Sequence, residues 1–249
     1  MVSSSPLPPQ ERLHQTIEGL YAAFASYPLS SLEGCPCCVS AGNKAQVTCR
    51  PLRELTEDDM GRYAGKAMTT WGTVDDFKHF LPRLFELTAA FRPPYEEFVV
   101  FGKLDYGRWR TWPTAEIEAI EQYFLALWDV LLGSGSQAWQ FRDYFVAVAG
   151  VYPRFDELLQ RWEARTDPTA WALLGEEVYG NSSVIFTGRY FNGPFLASVP
   201  LSEQFRAWVL SSTVQGKLCE TFSRCTDEAT AEKLGVAYDV IDYERKYGR

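Results

Sequence analysis

The sequence predicts an all-α protein: an irregular multi-helix bundle or a short HEAT-like helical stack, with little or no strand. Three observations carry the prediction. In most segments apolar side chains recur three or four residues apart, the spacing that lines one face of a helix. Ser, Thr or Asp stands before many of these segments with acidic residues just behind it, as capping and the helix dipole favour. The 8 Trp, 13 Tyr and 16 Phe among 249 residues exceed what an average core needs and suit helix-on-helix packing.

Residues 1–10, MVSSSPLPPQ, read as a disordered leader, and 11–249 as a single helical domain. Leu13, Ile17, Leu20, Tyr21 and Phe24 form the first amphipathic helix, which Tyr27-Pro28 ends. A loop over roughly residues 29–50 follows. Thr56 caps a helix with Glu57, Asp58 and Asp59 in its first turn, and Met60, Tyr63, Ala64, Ala67, Met68 and Trp71 on its inner face. Gly72 breaks it, and Thr73 opens another that buries Phe77, Phe80, Leu81, Leu84 and Leu87. Pro82 within that helix should bend or split it. Between Phe91 and Pro113 only EEFVVFGKL has strand character, suggesting a short edge strand or irregular packing.

Thr114 opens a long helix with Ile117, Ile120, Phe124, Leu127, Trp128 and Leu131 inward. Gly133-Ser134-Gly135-Ser136 closes it and is the best place for a subdivision of the domain. Residues 138–151 are helical, Pro153 stops them, and Phe155, Leu158, Leu159 and Trp162 form the next apolar set. Asp167-Pro168 is a helix start with proline at the first position. Residues 180–200 hold an apolar SSVIF stretch that reads as strand or buried loop. Ser202 opens a helix, and Thr226 with Asp227 and Glu228 opens the last.

A net charge of −8 argues against nucleic acid, whose phosphates reward clustered Lys and Arg, and against anionic lipid. It permits a basic protein partner. The first residues lack the charged and apolar regions of an export signal, and the longest apolar run, Phe145 to Tyr152, is too short to span a bilayer. Cytoplasm is therefore the expected location, with cysteines mostly reduced.

The feature with the most chemistry is Gly34-Cys35-Pro36-Cys37-Cys38. Cys35 and Cys38 have the C-x-x-C spacing that brings two thiolates to one tetrahedral ion. Cys49 could add a third sulfur and His79 a fourth ligand, making Cys35, Cys38, Cys49 and His79 a candidate structural zinc site. A redox-active pair, Cys35 with Cys37 or Cys38, is the second reading, and reduced thiols packed as small hydrophobes the third.

Only His14 and His79 are available for histidine chemistry, and no G-x-S-x-G elbow or glycine-rich phosphate loop occurs. His14 reads as a surface or boundary residue, and Asp75 lies one turn before His79, where it could orient the ring. The acidic pairs Asp58-Asp59 and Asp75-Asp76 sit in first turns of helices, where the dipole accounts for them. Arg108, Trp109 and Trp112, with Tyr190 and Phe191, combine aromatics, arginine and turn residues and are the candidate partner-binding groups.

The GCPCC loop, with Thr69-Thr70-Trp71-Gly72 and the run Asp76-Phe77-Lys78-His79-Phe80-Leu81-Pro82-Arg83, resembles a family of bacterial cytosolic proteins without an assigned activity. The likeness covers about the first third of the chain. It implies a bacterial source and draws attention to Cys35, Cys38 and His79 without giving them a role.

Charge, surplus aromatics and missing catalytic motifs together point to a non-enzymatic, protein-binding role. An immunity-type protein that neutralises a basic bacterial toxin is its concrete form. The alternative is an enzyme or a redox or metal sensor centred on the Cys35–Cys38 loop.

Overall fold

A computed structural model describes residues 7–29, 32–134, 138–193, 196 and 198–248. Part of the expected leader, residues 1–6, and of the glycine-serine linker, 135 and 136, lies outside them. The described residues form twelve α-helices and no strand, so the protein is all-α. None of these helices is long and apolar enough to cross a membrane. The chain divides into two compact units, Met1–Leu127 and Trp128–Arg249, the boundary falling inside one helix.

The first unit contains α1 (Pro9–Ala23), α2 (Ala41–Val47), α3 (Glu57–Lys66), α4 (Val74–Ala89), α5 (Glu97–Tyr106) and most of α6 (Thr114–Gly133). Ser40, Thr56 and Thr73 cap α2, α3 and α4 with reciprocal boxes, each side chain accepting from the N3 backbone while the N3 side chain returns to the cap. The interior is aromatic: Phe85 lies 4.8 Å from Tyr123 and 5.2 Å from Phe101, centroid to centroid. Buried rings in this range add tilted and edge-on attraction to their area burial.

Several local expectations are corrected here. EEFVVFGKL forms most of α5 rather than a strand, because Val100, Phe101 and Leu104 bury on one helical face and tertiary burial overrides β propensity. The 29–50 loop contains α2, started by the Ser40–Asn43 cap. Pro82 leaves α4 undivided: the ring is buried in the core, and the helix runs on through one missing backbone bond.

The second unit holds the end of α6, then α7 (Ala138–Val151), α8 (Phe155–Glu163), α9 (Pro168–Phe186), α10 (Val199–Val209), α11 (Ser212–Arg224) and α12 (Glu228–Tyr247). Trp128, Phe145, Trp162, Phe205 and Trp208 form its centre, with Trp162 5.6 Å from Trp128 and 5.2 Å from Trp208. The buried indoles are satisfied, Trp128 Nε1 donating to the Leu158 carbonyl and Trp162 Nε1 to that of Ala170. SSVIF is the end of α9, not a strand; a kink at Asn181 divides that helix. Gly175 brings α9 against α12, where a Cβ would already touch the Lys233–Leu234 backbone.

Candidate metal and thiol centre

The cysteine loop hangs from a buried tryptophan. Trp71 is fully buried, edge-on to Tyr63 at 5.3 Å, and its backbone pairs with Gly34 in an isolated bridge. Cys35 N donates to the Thr70 carbonyl at 2.9 Å and Gly72 N to that of Glu33 at 2.7 Å. Gly72 has φ +76°, a left-handed conformation that glycine adopts without strain. At Gly34 the constraint is space, since a Cβ would lie 2.8 Å from Val39 Cγ2.

From this anchor the chain makes one tight turn. Cys38 N and Val39 N both donate to the Cys35 carbonyl at 2.9 Å, Val39 is buried, and Arg62 Nη2 holds the Cys38 carbonyl at 2.9 Å. The turn brings three sulfurs together: Cys35 Sγ is 2.8 Å from Cys37 Sγ, which is 3.6 Å from Cys38 Sγ. All three lie within 4.8 Å of one another and could hold a metal ion. Cys37 is exposed and its two partners are half-buried.

The sulfurs are not equivalent. The Cys37 thiol, 2.8 Å away, is the largest influence lowering the Cys35 pKa; Cys38 adds to it and burial opposes it. Cys37, by its hydrogen bonds to Cys35 and Cys38, is pushed up to about 11.

The expected ligand set is only partly assembled. Cys35 and Cys38 are joined by Cys37, while Cys49 and His79 lie outside the group. Cys49 Sγ accepts from Arg50 Nε at 3.4 Å, and His79 Nδ1 is bonded to the Tyr27 carbonyl at 2.8 Å. That carbonyl, rather than Asp75, orients the ring. Cys37 was legible as a member of the same turn but not as a ligand, because C-x-x-C spacing draws the eye past its middle residues.

The candidate partner-binding aromatics require correction. Trp109, Trp112, Tyr190 and Phe191 are 0%, 9%, 2% and 0% exposed, so they are core groups and only Arg108 faces solvent. Arginine beside an aromatic marks internal stacking here: Arg110 lies 5.0 Å from the Trp109 ring and Arg142 5.2 Å from that of Tyr190.

Sequence reasoning missed two buried polar centres, one in each unit. Lys78 and Glu116 form a buried ion pair at 2.7 Å. The Tyr27 hydroxyl donates to Glu116 at 2.6 Å, and Lys78 Nζ sits 4.4 Å from the Trp112 ring centre. In the second unit Glu177 accepts from Tyr190 and, at 3.1 Å, from Asn181 at the α9 kink. Neither centre has a sequence signature: Lys78 on α4 meets Glu116 on α6, and Tyr190, beyond the end of α9, folds back onto Glu177.

Comparison of the chain with known families, characterised proteins and solved structures finds no match.

Proposed function

We propose that the protein is a metal-responsive thiol protein that takes up a thiophilic ion, zinc first among them, on Cys35, Cys37 and Cys38. The observation supporting this reading is the convergence of three sulfurs within 4.8 Å. A tetrahedral ion with Zn–S bonds of about 2.3 Å holds its sulfurs about 3.8 Å apart. The Cys37–Cys38 separation of 3.6 Å is near that value, and the Cys35–Cys37 contact of 2.8 Å would open by about 1 Å, a side-chain rotation.

Three protein ligands at a solvent-facing turn leave a fourth position for water or an exchanging ligand, which suits a sensor better than a closed structural staple. The loop also has ordering contacts of its own, from Thr70, Glu33 and Arg62, so a staple would add little. Competition against a chromophoric zinc chelator tests the reading. One equivalent should transfer to the reduced protein, and a Cys35→Ser, Cys38→Ser double variant should lose it. If the chelator keeps its zinc, the reading is wrong.

The protein-binding reading, including the immunity-type form, keeps support from the charge of −8 and from Tyr243 and Tyr247, exposed one turn apart on α12. Here the occupant would be a basic protein, because acidic binders gain association rate by steering. Recovery of no stoichiometric partner from the native host would count against it.

A further inference from the structure

We infer that the same turn is a thiol–disulfide exchange centre in which Cys35 attacks a low-molecular-weight disulfide and Cys37 or Cys38 resolves the adduct. The inference shares its residues with the metal reading and does not require a bound ion. Its basis is geometric. The three sulfurs lie within 4.8 Å of one another, and Cys35 is the one whose two neighbours are both non-adjacent in sequence, so an adduct on it can be resolved by either. A second sulfur lies 2.8 Å away, inside the reach of an intramolecular attack. The turn faces solvent at Cys37, so a small disulfide can approach.

In the first step the Cys35 thiolate attacks R–S–S–R. A new S–S bond joins Cys35 to one R–S group, the S–S bond of R–S–S–R breaks, and the other half leaves as R–S⁻. In the second, a neighbouring thiol gives its proton to that R–S⁻ and attacks Cys35 Sγ, expelling the second thiolate. Two protein thiols are oxidised to one disulfide and one external disulfide is reduced to two thiols, so atoms and electrons balance. A vicinal Cys37–Cys38 bond is disfavoured: adjacent Cα atoms sit about 3.8 Å apart, below the usual disulfide span of about 4.4–6.8 Å. The internal bond therefore includes Cys35. Once formed, it removes two of the three metal-binding sulfurs, which couples thiol oxidation to metal release.

The test uses the reduced, metal-free full chain and glutathione disulfide, with peptide mass mapping over time. The wild type should lose two hydrogens, with the cross-link mapped to Cys35 and a residue of its own turn. A Cys37→Ser, Cys38→Ser variant should instead accumulate a glutathione adduct on Cys35. A wild type carrying adducts without an internal disulfide, or an internal disulfide that omits Cys35, would overturn the inference. Neither result depends on metal: protein that exchanges disulfides but leaves zinc on the chelator refutes the metal reading alone. Zinc binding without a Cys35 disulfide refutes this inference alone.

Discussion

Replacing Lys78 by methionine isolates the buried ion pair of the first unit. The substitution keeps the apolar stem and removes the ammonium that lies 2.7 Å from Glu116 Oε2 and 2.9 Å from the Tyr27 hydroxyl. Glu116 is then a buried carboxylate without its cation, and breaking such a pair costs about 3–5 kcal/mol. The Tyr27 hydroxyl still donates to Glu116, at 2.6 Å, which places the loss at the lower end, about 3 kcal/mol. At an m of about 2 kcal/mol/M the urea midpoint of the first unit should fall by about 1.5 M. Glu116→Gln in the same chain keeps an acceptor for Tyr27 without the charge, so the Lys78→Met, Glu116→Gln double variant should regain more than half the loss. Burial pulls the Lys78 pKa down, but contacts with Glu116 and Tyr27 outweigh it and leave the value raised above 10.5. A raised folded-state lysine stabilises fully below its unfolded value and loses that effect only as pH climbs through the folded one. The cost of Lys78→Met should thus be constant between about pH 6 and pH 9 and shrink above. Loss of less than about 1 kcal/mol for the single variant would refute the reasoning, because Glu116 would then have a compensating partner.

Other outcomes follow from the same contacts. Gly34→Ala drives a Cβ to 2.8 Å from Val39 Cγ2; chelator competition should show zinc affinity weakened by about tenfold, with a stability cost of about 1–3 kcal/mol. Because the Cys37 thiol, at about 11, must give up its proton to bind, zinc affinity should rise with pH, on the order of tenfold per unit per proton released. An affinity identical at two pH values would exclude Cys37 as a ligand. Burial raises the Glu177 pKa despite hydrogen bonding from Tyr190 and the nearby Arg142. The folded state then holds the proton more tightly, so stability falls as pH rises through 4.5 towards the folded value, and the charged form is unfavourable at neutrality. Thermal melts should show Glu177→Gln at least as stable as wild type at neutral pH, with the difference closing on acidification; a large loss at neutrality would mean that the charge itself is needed.

What could be read in advance was local. Thr56 and Thr73 announce their helices because the capping side chain, its N3 partner and the first apolar residue lie within one turn of chain. Asp167-Pro168 works for the same reason: Asp167 accepts from Ala170 N and proline fills a position with no donor to lose. The segment EEFVVFGKL resisted reading because β-branched residues score as strand in isolation, whereas Val100, Phe101 and Leu104 find a helical core waiting for them. At the aromatic turns the missing quantity was burial. An arginine beside a tryptophan looks the same in sequence whether the ring faces a partner or, as at Trp109, closes the core while its Nε1 donates to Asp105.

The thiol site divides along the same line. Cys35, Cys37 and Cys38 share one turn, and a turn of that length cannot keep their sulfurs far apart. Recruitment of Cys49 and His79 required the chain to fold back on the loop, and each is held elsewhere, by Arg50 and by the Tyr27 carbonyl. The element that does fold back is one without a ligand: Thr70, Trp71 and Gly72 supply backbone pairing, and the indole of Trp71 is the buried weight that fixes it. The sulfurs consequently converge without drawing any ligand out of the core, and their positions depend on a backbone seam rather than on a fourth side chain. That arrangement favours exchange over permanence, since an ion leaving such a turn breaks no contact that orders the fold.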